Sequence, residues 1–184
     1  MHAFKHRIVA AAVAGVAAGL ALLAGSASAV ELTAQQAQDR AAIEETMSRY
    51  MYALDTADAD AYAAVYAPDG EIVIGGKVLE HGRDALHKYV EDLRTQWKLP
   101  DGRHWGKTRH IYYNFTVDIQ GDKALAQSYW QTLVANPKGG AWMVLATGVS
   151  EDSLVKINGS WLIAKRVIIG DPSEPAAPST ASGE

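Results

Sequence analysis

The stretch "HIYYNFTVDI", His110 to Ile119, decides the fold, because its side chains alternate in type as those of a β-strand do. The alternation predicts one uniformly apolar face, made of Ile111, Tyr113, Phe115, Val117 and Ile119. The opposite face would carry His110, Tyr112, Asn114, Thr116 and Asp118. This second face therefore begins with a titratable base and an amide.

Three more strands are predicted after this one, each ended by a turn signal. "KALAQSYWQTLVA" runs into the turn-forming segment 136–140, and "AWMVLATGVSEDSLVKI" ends at Asn158-Gly159. An Asn-Gly pair between two apolar runs is a strong signal for a tight hairpin. "SWLIAKRVII" closes the series. We therefore expect four strands in antiparallel succession.

The segments before these strands have helical spacing. Ile43, Met47, Tyr50 and Leu54 recur at steps of four, three and four residues, which predicts a helix from about Ala34 to Leu54. A second, shorter helix should follow Asp58 and stop at "APDG", residues 67–70. "EIVIGGKVLE" predicts two short strands around Gly75-Gly76.

A third helix is expected in "GRDALHKYVEDLRTQW", with a buried face made of Leu86, Tyr89, Val90, Leu93 and Trp97. The order of elements predicts an α+β fold. We expect a curved, mixed or antiparallel sheet, with three helices that form a cone around an apolar pocket.

The chain divides into three predicted regions. Residues 1–29 have a basic start, an apolar run and the small-x-small end "ASA", which is typical of a secretory signal peptide; an uncleaved membrane anchor is the alternative. Residues 30–170 form the α+β domain, and residues 171–184, rich in Pro, Ser and Ala, a disordered tail. The protein is therefore expected to be exported, either periplasmic or secreted, with no membrane attachment after cleavage.

The predicted mature chain is acidic and contains no cysteine. Without Lys5 and Arg7 it keeps 15 basic residues against 21 acidic ones, which argues against nucleic acid or an anionic membrane as a partner. Because disulfides are absent, the domain needs a hydrophobic core. Phosphate-binding glycine motifs and the serine-hydrolase elbow are also absent, so we expect no cofactor.

Three aspartates lie close together in "YALDTADADAY", residues 52–62. Asp58 is explained as the N-cap of the second helix, and Asp60 as a charge in that helix's first turn. Asp55 ends the first helix, where the helix dipole is negative, so either it has a tertiary partner or it is a solvated turn residue. The spacing does not fit a calcium loop, and the histidines do not fit a zinc site. We therefore predict no metal.

Several local strings together resemble the SnoaL-like branch of the nuclear transport factor 2-like superfamily. They are "AIEETMSRYMYALDTADADAYAAVYAPDGEI", "GRDAL", "TRHIYYNFTVDI" and "INGSWLIAKRVI". The resemblance covers about Ala34 to Ile169, and the first and third strings are its most specific parts. It implies the same α+β cone. One departure is "VLATGVSEDS", which lacks the second pocket histidine of scytalone dehydratase.

The resemblance also implies a catalytic dyad, because lyases of this fold pair a histidine with an aspartate to remove a proton. By motif position these are His110 and Asp55, and Tyr50 matches the tyrosine of the dehydratase pattern. The spacing alone favours a surface side chain for His110, and Tyr50 is equally a part of the core. Weaker candidates for substrate binding are Asn114, Tyr112, Trp130, Trp142, His104 and Arg166.

The function expected on this resemblance is that of a cofactor-independent lyase. It would eliminate water, or another small leaving group such as halide or formaldehyde, from a hydrophobic hydroxylated or aromatic molecule. Two alternatives stay open: a non-catalytic module for ligand binding or dimerisation, and an isomerase of the ketosteroid-isomerase type. Relatives are commonly dimers or trimers, so a homo-oligomer is expected.

Overall fold

The computed structural model describes residues 32–95, 108–136 and 138–172. Its elements, in chain order, are α1 (Ala34–Thr56), α2 (Ala59–Ala64), β1 (Tyr66–Ile74), β2 (Lys77–His81), α3 (Arg83–Thr95), β3 (Thr108–Gln120), β4 (Lys123–Val134), β5 (Met143–Ile157) and β6 (Ser160–Gly170). The predicted signal peptide, Trp97, His104 and all but the start of the predicted tail lie outside the described residues.

The six strands form one mixed sheet in the order β2-β1-β6-β5-β4-β3. Strands β3 to β6 are antiparallel neighbours, as the turn signals predict, and β1 pairs with β6 in parallel. The α+β class and the mixed sheet are therefore confirmed. In the part of the chain that the structure describes, no helix has the length and apolar character needed to cross a bilayer.

Capping residues fix the N-terminal ends of the first two helices. The Thr33 hydroxyl accepts a hydrogen bond from Gln36 N–H, and the Gln36 side chain accepts one from Thr33 N–H, so α1 begins with a capping box. Asp58 accepts from Ala61 N–H and caps α2, as predicted. Helix α1 extends two residues past the predicted end, so that Asp55 lies in its last turn.

The prediction that "APDG" is a turn is wrong, because these residues belong to β1. Tyr66 pairs with Ile163 and Glu71 with Lys165, so four residues of β1 lie between these pairs where β6 has one. Such a bulge tolerates Pro68, which has no N–H to donate to a ladder. Gly70 lies close to β6, since a Cβ there would be 2.8 Å from the Ile163 carbonyl oxygen.

The alternation predicted for β3 is also wrong, because a bulge at Asn114 divides the strand. Tyr113 pairs with Tyr129, but the next pair is Thr116 with Gln127, and Asn114 has φ of +53°. Before the bulge, His110 and Tyr112 face inward while Ile111 and Tyr113 are about 40% exposed. After it, Phe115, Val117 and Ile119 pack against the core. His110 therefore shares the inner face with Phe115.

A polar contact connects the N-terminal part of α1 to the β5–β6 hairpin. The Asp39 carboxylate accepts hydrogen bonds from Lys156 Nζ at 2.6 Å and from Trp161 Nε1 at 2.9 Å. These donors stabilise the ionised carboxyl, and the hydrogen bond from Lys156 is the first cause of a pKa for Asp39 below its usual range. The hairpin turn itself is Asn158-Gly159, as predicted, and both residues have positive φ.

Because Asn114 has a left-handed backbone and an exposed side chain, its substitutions test the bulge. We expect Asn114→Val to lower the free energy of unfolding by about 1–2 kcal/mol, since a β-branched residue strains this conformation. Asn114→Gly should change it little. Urea denaturation of the three proteins measures both effects, and equal stabilities for Val and Gly would show that the bulge does not form.

Asp39→Asn should destabilise the protein at neutral pH and progressively less in acid. A lowered folded pKa means that the carboxylate stabilises the fold above its unfolded pKa of about 3.9, and that this contribution is lost as the pH falls through the folded pKa. Denaturant unfolding between pH 7 and pH 2 measures the difference. Glu45→Gln, which breaks an exposed pair with Arg49 on the same helix, is the control and should have little effect.

Candidate active site

Asp55 and His110 meet, although 55 residues separate them in the chain. The Nδ1 atom of His110 lies 2.8 Å from Asp55 Oδ1, and the backbone N–H of His110 donates to both carboxylate oxygens, at 2.9 and 3.1 Å. The two side chains are only 11% and 9% exposed. The alternatives that placed either residue in solvent are therefore excluded.

The fold explains how each partner reaches the other. Strand β3 lies at the edge of the sheet, so alternate backbone N–H groups point away from β4 and need other acceptors. The His110 N–H finds one in Asp55, at the C-terminal end of α1. A carboxylate at this end of a helix is unfavourable by itself, and the two N–H donors of His110 compensate for it.

The contact also sets which nitrogen of the imidazole can act as a base. An ionised carboxylate only accepts hydrogen bonds, so the proton of neutral His110 is assigned to Nδ1. The basic lone pair is then on Nε2, at the other side of the ring. A carboxylate in this position orients the imidazole and stabilises the imidazolium that forms when Nε2 takes a proton.

His110 lines a cavity of about 310 Å³ between the helices and the inner face of the sheet. Most of its wall is apolar and comes from Met51, Leu54, Ile72, Ile74, Leu93, Leu145, Ala146 and Ile168. The polar groups in the wall belong to His110, Tyr50, Tyr89, Trp130, Thr132 and Arg166. An apolar cavity with a few convergent polar groups is typical of a site for a small organic molecule.

Tyr50 and Arg166 contact each other in this wall. The guanidinium carbon of Arg166 lies 4.4 Å from the centre of the Tyr50 ring, and each residue is 1% exposed. Tyr50 also packs against Tyr62 and Tyr66, with ring centres 5.2 and 6.1 Å away. Tyr50 therefore belongs to the core and to the cavity at once, and Arg166 is buried in the cavity wall.

A buried carboxylate holds Arg166 in place. Both oxygens of Asp152 lie 2.8 Å from Arg166 Nη1, and Ser150 donates a hydrogen bond to the same carboxylate at 3.3 Å. Ser128, 2.9 Å from Ser150, continues the chain of hydroxyls. Burial raises the pKa of Asp152, while the charge of Arg166 opposes that shift. Burial by itself would lower the pKa of Arg166, but the attraction of Asp152 outweighs it and raises that pKa.

The other predicted substrate-binding residues lie in different places. Trp130 lines the cavity and lies over Gly148, where a Cβ would come within 2.7 Å of the ring. Tyr112 faces inward, but its hydroxyl hydrogen-bonds to Ser48 and to the Glu44 carbonyl on α1. Asn114 is exposed at the bulge, so the prediction that it shares the face of His110 is wrong. Trp142 is 44% exposed and stacks with Arg109 outside the cavity wall.

Asp152 and its serines are the polar residues near the cavity that the sequence reading missed. Their signal was the alternation Gly148, Ser150, Asp152 in "GVSEDS", which places them on one face of β5. The neighbouring Glu151 on the other face is exposed, and nothing in the sequence tells which carboxylate points inward. Within the described residues, no cluster of three or more potential ligands is arranged to hold a metal ion.

These features together define a class: an α+β cone in which a histidine–carboxylate pair borders a largely apolar cavity. The family model described as "SnoaL-like domain" matches residues 35–167. The chain therefore belongs to the SnoaL-like family of the nuclear transport factor 2-like superfamily, as the resemblance of its motifs predicts. This family includes dehydratases and polyketide cyclases, and its members bind small hydrophobic ligands.

Solved structures give the same fold. The chain is 26% identical to Rv3472 of Mycobacterium tuberculosis, a protein of unknown function, with 74% of each chain covered and a TM-score of 0.65. It is 26% identical to a protein of unknown function with a cystatin-like fold from Nostoc punctiforme, covering 79% of this chain and 98% of that one, at a TM-score of 0.62.

A third similar structure is a provisionally assigned scytalone dehydratase from Novosphingobium aromaticivorans. It is 24% identical, covers 83% of this chain and all of that one, and has a TM-score of 0.61, so it supports the fold alone. A search of curated protein sequences gives no significant match.

The tautomer of His110 can be measured by nitrogen-15 NMR of the imidazole rings. In the neutral form we expect Nδ1 to carry the proton, because Asp55 accepts from it. Asp55→Ala should remove this preference, and His87, whose ring meets Asp60 and Glu91 at the surface, is the internal control. A neutral His110 protonated on Nε2 in the unaltered protein would contradict the assignment.

Proposed function

We propose that the protein is a cofactor-independent lyase that eliminates water, or another small leaving group, from a hydrophobic hydroxylated or aromatic molecule. The observation that carries the proposal is the buried contact between Asp55 and His110 Nδ1, which leaves Nε2 as the base on a ring that lines the cavity. Membership of a family that includes dehydratases supports it further.

The proposed reaction begins when His110 Nε2 takes a proton from the carbon next to the one that bears the leaving group. The C–H electron pair becomes the new double bond, and a hydroxyl leaves with the electrons of the C–O bond. The imidazolium then passes its proton to this oxygen, so water departs and His110 returns to its neutral form. Asp55 stabilises the imidazolium in between.

Two other groups in the wall have supporting roles. Tyr50 would donate a hydrogen bond to the leaving oxygen or to a carbonyl of the substrate, as a phenol can. Arg166 would donate a hydrogen bond to that oxygen. Both roles are supported by the place of these residues in the same wall as His110. No step requires a cofactor, because the base, its carboxylate and the donors all come from the chain.

The test compares the turnover rates of His110→Gln, Asp55→Asn and Asp60→Asn. It first requires a substrate, which is identified as a compound that loses the mass of water, or of another eliminated small molecule, when it is incubated with the protein. Loss of a general base typically costs 10²–10⁴-fold in rate, so we expect a decrease of about that size for the first two variants. Asp60, an exposed aspartate five residues after Asp55, is the control and should keep full activity. Full activity in His110→Gln would refute the mechanism.

The same experiment separates the two alternatives. An isomerase would give a product of unchanged mass that takes up deuterium from heavy water, and this uptake would depend on His110. A binding module would retain a compound without converting it. The oligomeric state stays a prediction; the outer face of the sheet, where Ile111, Tyr113 and Tyr129 are exposed, is where we would place a contact between subunits.

A further inference from the structure

The polar wall of the cavity contains a complete ion pair. Arg166 and Asp152 have side chains that are 1% and 0% exposed, and both carboxylate oxygens of Asp152 lie 2.8 Å from Arg166 Nη1. Ser150 donates to Asp152, and Ser128 lies within hydrogen-bond distance of Ser150, so the carboxylate is held in one orientation. The positive charge that faces the cavity is therefore compensated from behind before any ligand enters.

Among the residues that the structure describes, the formal charges around the cavity leave no excess of positive charge for an anion. Among the described residues that line it, Arg166 is the only one with a permanent charge. Asp152 cancels this charge, and Asp55 adds a second negative charge behind His110. The sum of the four groups is −1 when His110 is neutral and zero when it is protonated. An anionic ligand would lose its hydration here and gain no net attraction.

An uncharged oxygen has different requirements. Within the described part of the chain, Trp130 Nε1 and Arg166 Nε are buried N–H groups without a hydrogen-bond partner, and both side chains belong to the cavity wall. A neutral acceptor such as a carbonyl or hydroxyl can receive such a hydrogen bond without bringing a charge that must be compensated.

We propose that the cavity selects uncharged ligands, namely apolar molecules with a neutral oxygen acceptor, and that Asp152 determines this selectivity by neutralising Arg166. The inference concerns the cavity of the proposed lyase and names the charge class of its substrate. It excludes carboxylates, phosphates and sulfates as ligands. Asp152 acts through Arg166 and is therefore a positioning and specificity-determining residue.

The test uses 2-naphthamide and 2-naphthoate, which are nearly equal in shape and differ in charge. Isothermal titration calorimetry at pH 8 gives both dissociation constants. We expect the amide to bind the unaltered protein at least about tenfold more tightly. In Asp152→Asn, Arg166 keeps its charge without compensation, and the ratio of the two constants should move toward naphthoate by about tenfold or more.

Glu151→Gln is the matched control. It removes one carboxylate from the next position of β5, on the opposite face of the sheet, where Glu151 pairs with the exposed Gln127. The net charge of the protein changes by the same amount as in Asp152→Asn. The ratio of amide to naphthoate binding should nevertheless stay as in the unaltered protein, because the cavity keeps its own charges.

A double variant, Asp152→Asn with Arg166→Gln, covers the case in which Asp152→Asn alone does not fold. It removes both charges of the pair and keeps their sum, so the preference for the amide should persist. Naphthoate binding as tightly as the amide to the unaltered protein or to the double variant would overturn the proposal. So would an unchanged ratio in a folded Asp152→Asn, or binding of neither compound to the unaltered protein.

The binding measurement does not depend on turnover of a substrate. If His110→Gln keeps full activity while the amide preference and its shift in Asp152→Asn are found, the lyase mechanism fails and the charge selectivity of the cavity stands. If the variants of His110 and Asp55 lose activity and naphthoate binds best, the mechanism stands and the proposed ligand class fails.

Discussion

The contact between Asp55 and His110 joins the two halves of the structure. Asp55 ends α1, and His110 begins the strand at the edge of the sheet, so their hydrogen bonds connect the helical layer to the sheet where backbone donors would otherwise be unpaired. The same carboxylate accepts the main-chain N–H and the ring N–H of one residue. The backbone contact therefore fixes the position of His110, and the side-chain contact fixes the orientation of its ring.

The bulge at Asn114 makes this arrangement compatible with a closed core. In a regular strand, the residues that share a face with His110 would be Asn114, Thr116 and Asp118, and polar side chains would enter the core beyond it. One extra residue in β3 moves Phe115 and Val117 to the inner face instead. The strand thereby supplies a titratable group at one end and hydrophobic packing along the rest.

The sequence predicts most of the fold because its elements have clear periods and clear ends. The helical spacing of Ile43 to Leu54, the cap at Asp58 and the turn at Asn158-Gly159 each depend on local chemistry. The two errors, in β1 and β3, are both bulges, and a bulge depends on the pairing with a distant strand. An alternating pattern cannot reveal where the alternation is broken, although Pro68 and Asn114 are residue types that bulges accept.

For the site, the sequence identified the residues that similar proteins use, but not those that support them. Asp55 stood out because a carboxylate is unfavourable at the end of a helix. Asp152 had no comparable feature in the sequence. The alternation of small and charged residues in β5 fits equally well with Glu151, rather than Asp152, on the face toward the core. The side that faces the core is decided by the partner strand, where Arg166 lies opposite Asp152.

The presence of the Arg166–Asp152 pair is itself an argument for function. Two desolvated charges contribute little net stability, and apolar residues of similar volume often stabilise a core as well or better. The pair is nevertheless completely buried, supported by two serines and stacked on Tyr50. A guanidinium that only filled space would still need its counter-charge, but it would not need a place in the wall of a cavity. Its place in the same cavity wall as His110 is explained if a polar group of a ligand binds there, and the cancelled charge favours a group that is neutral.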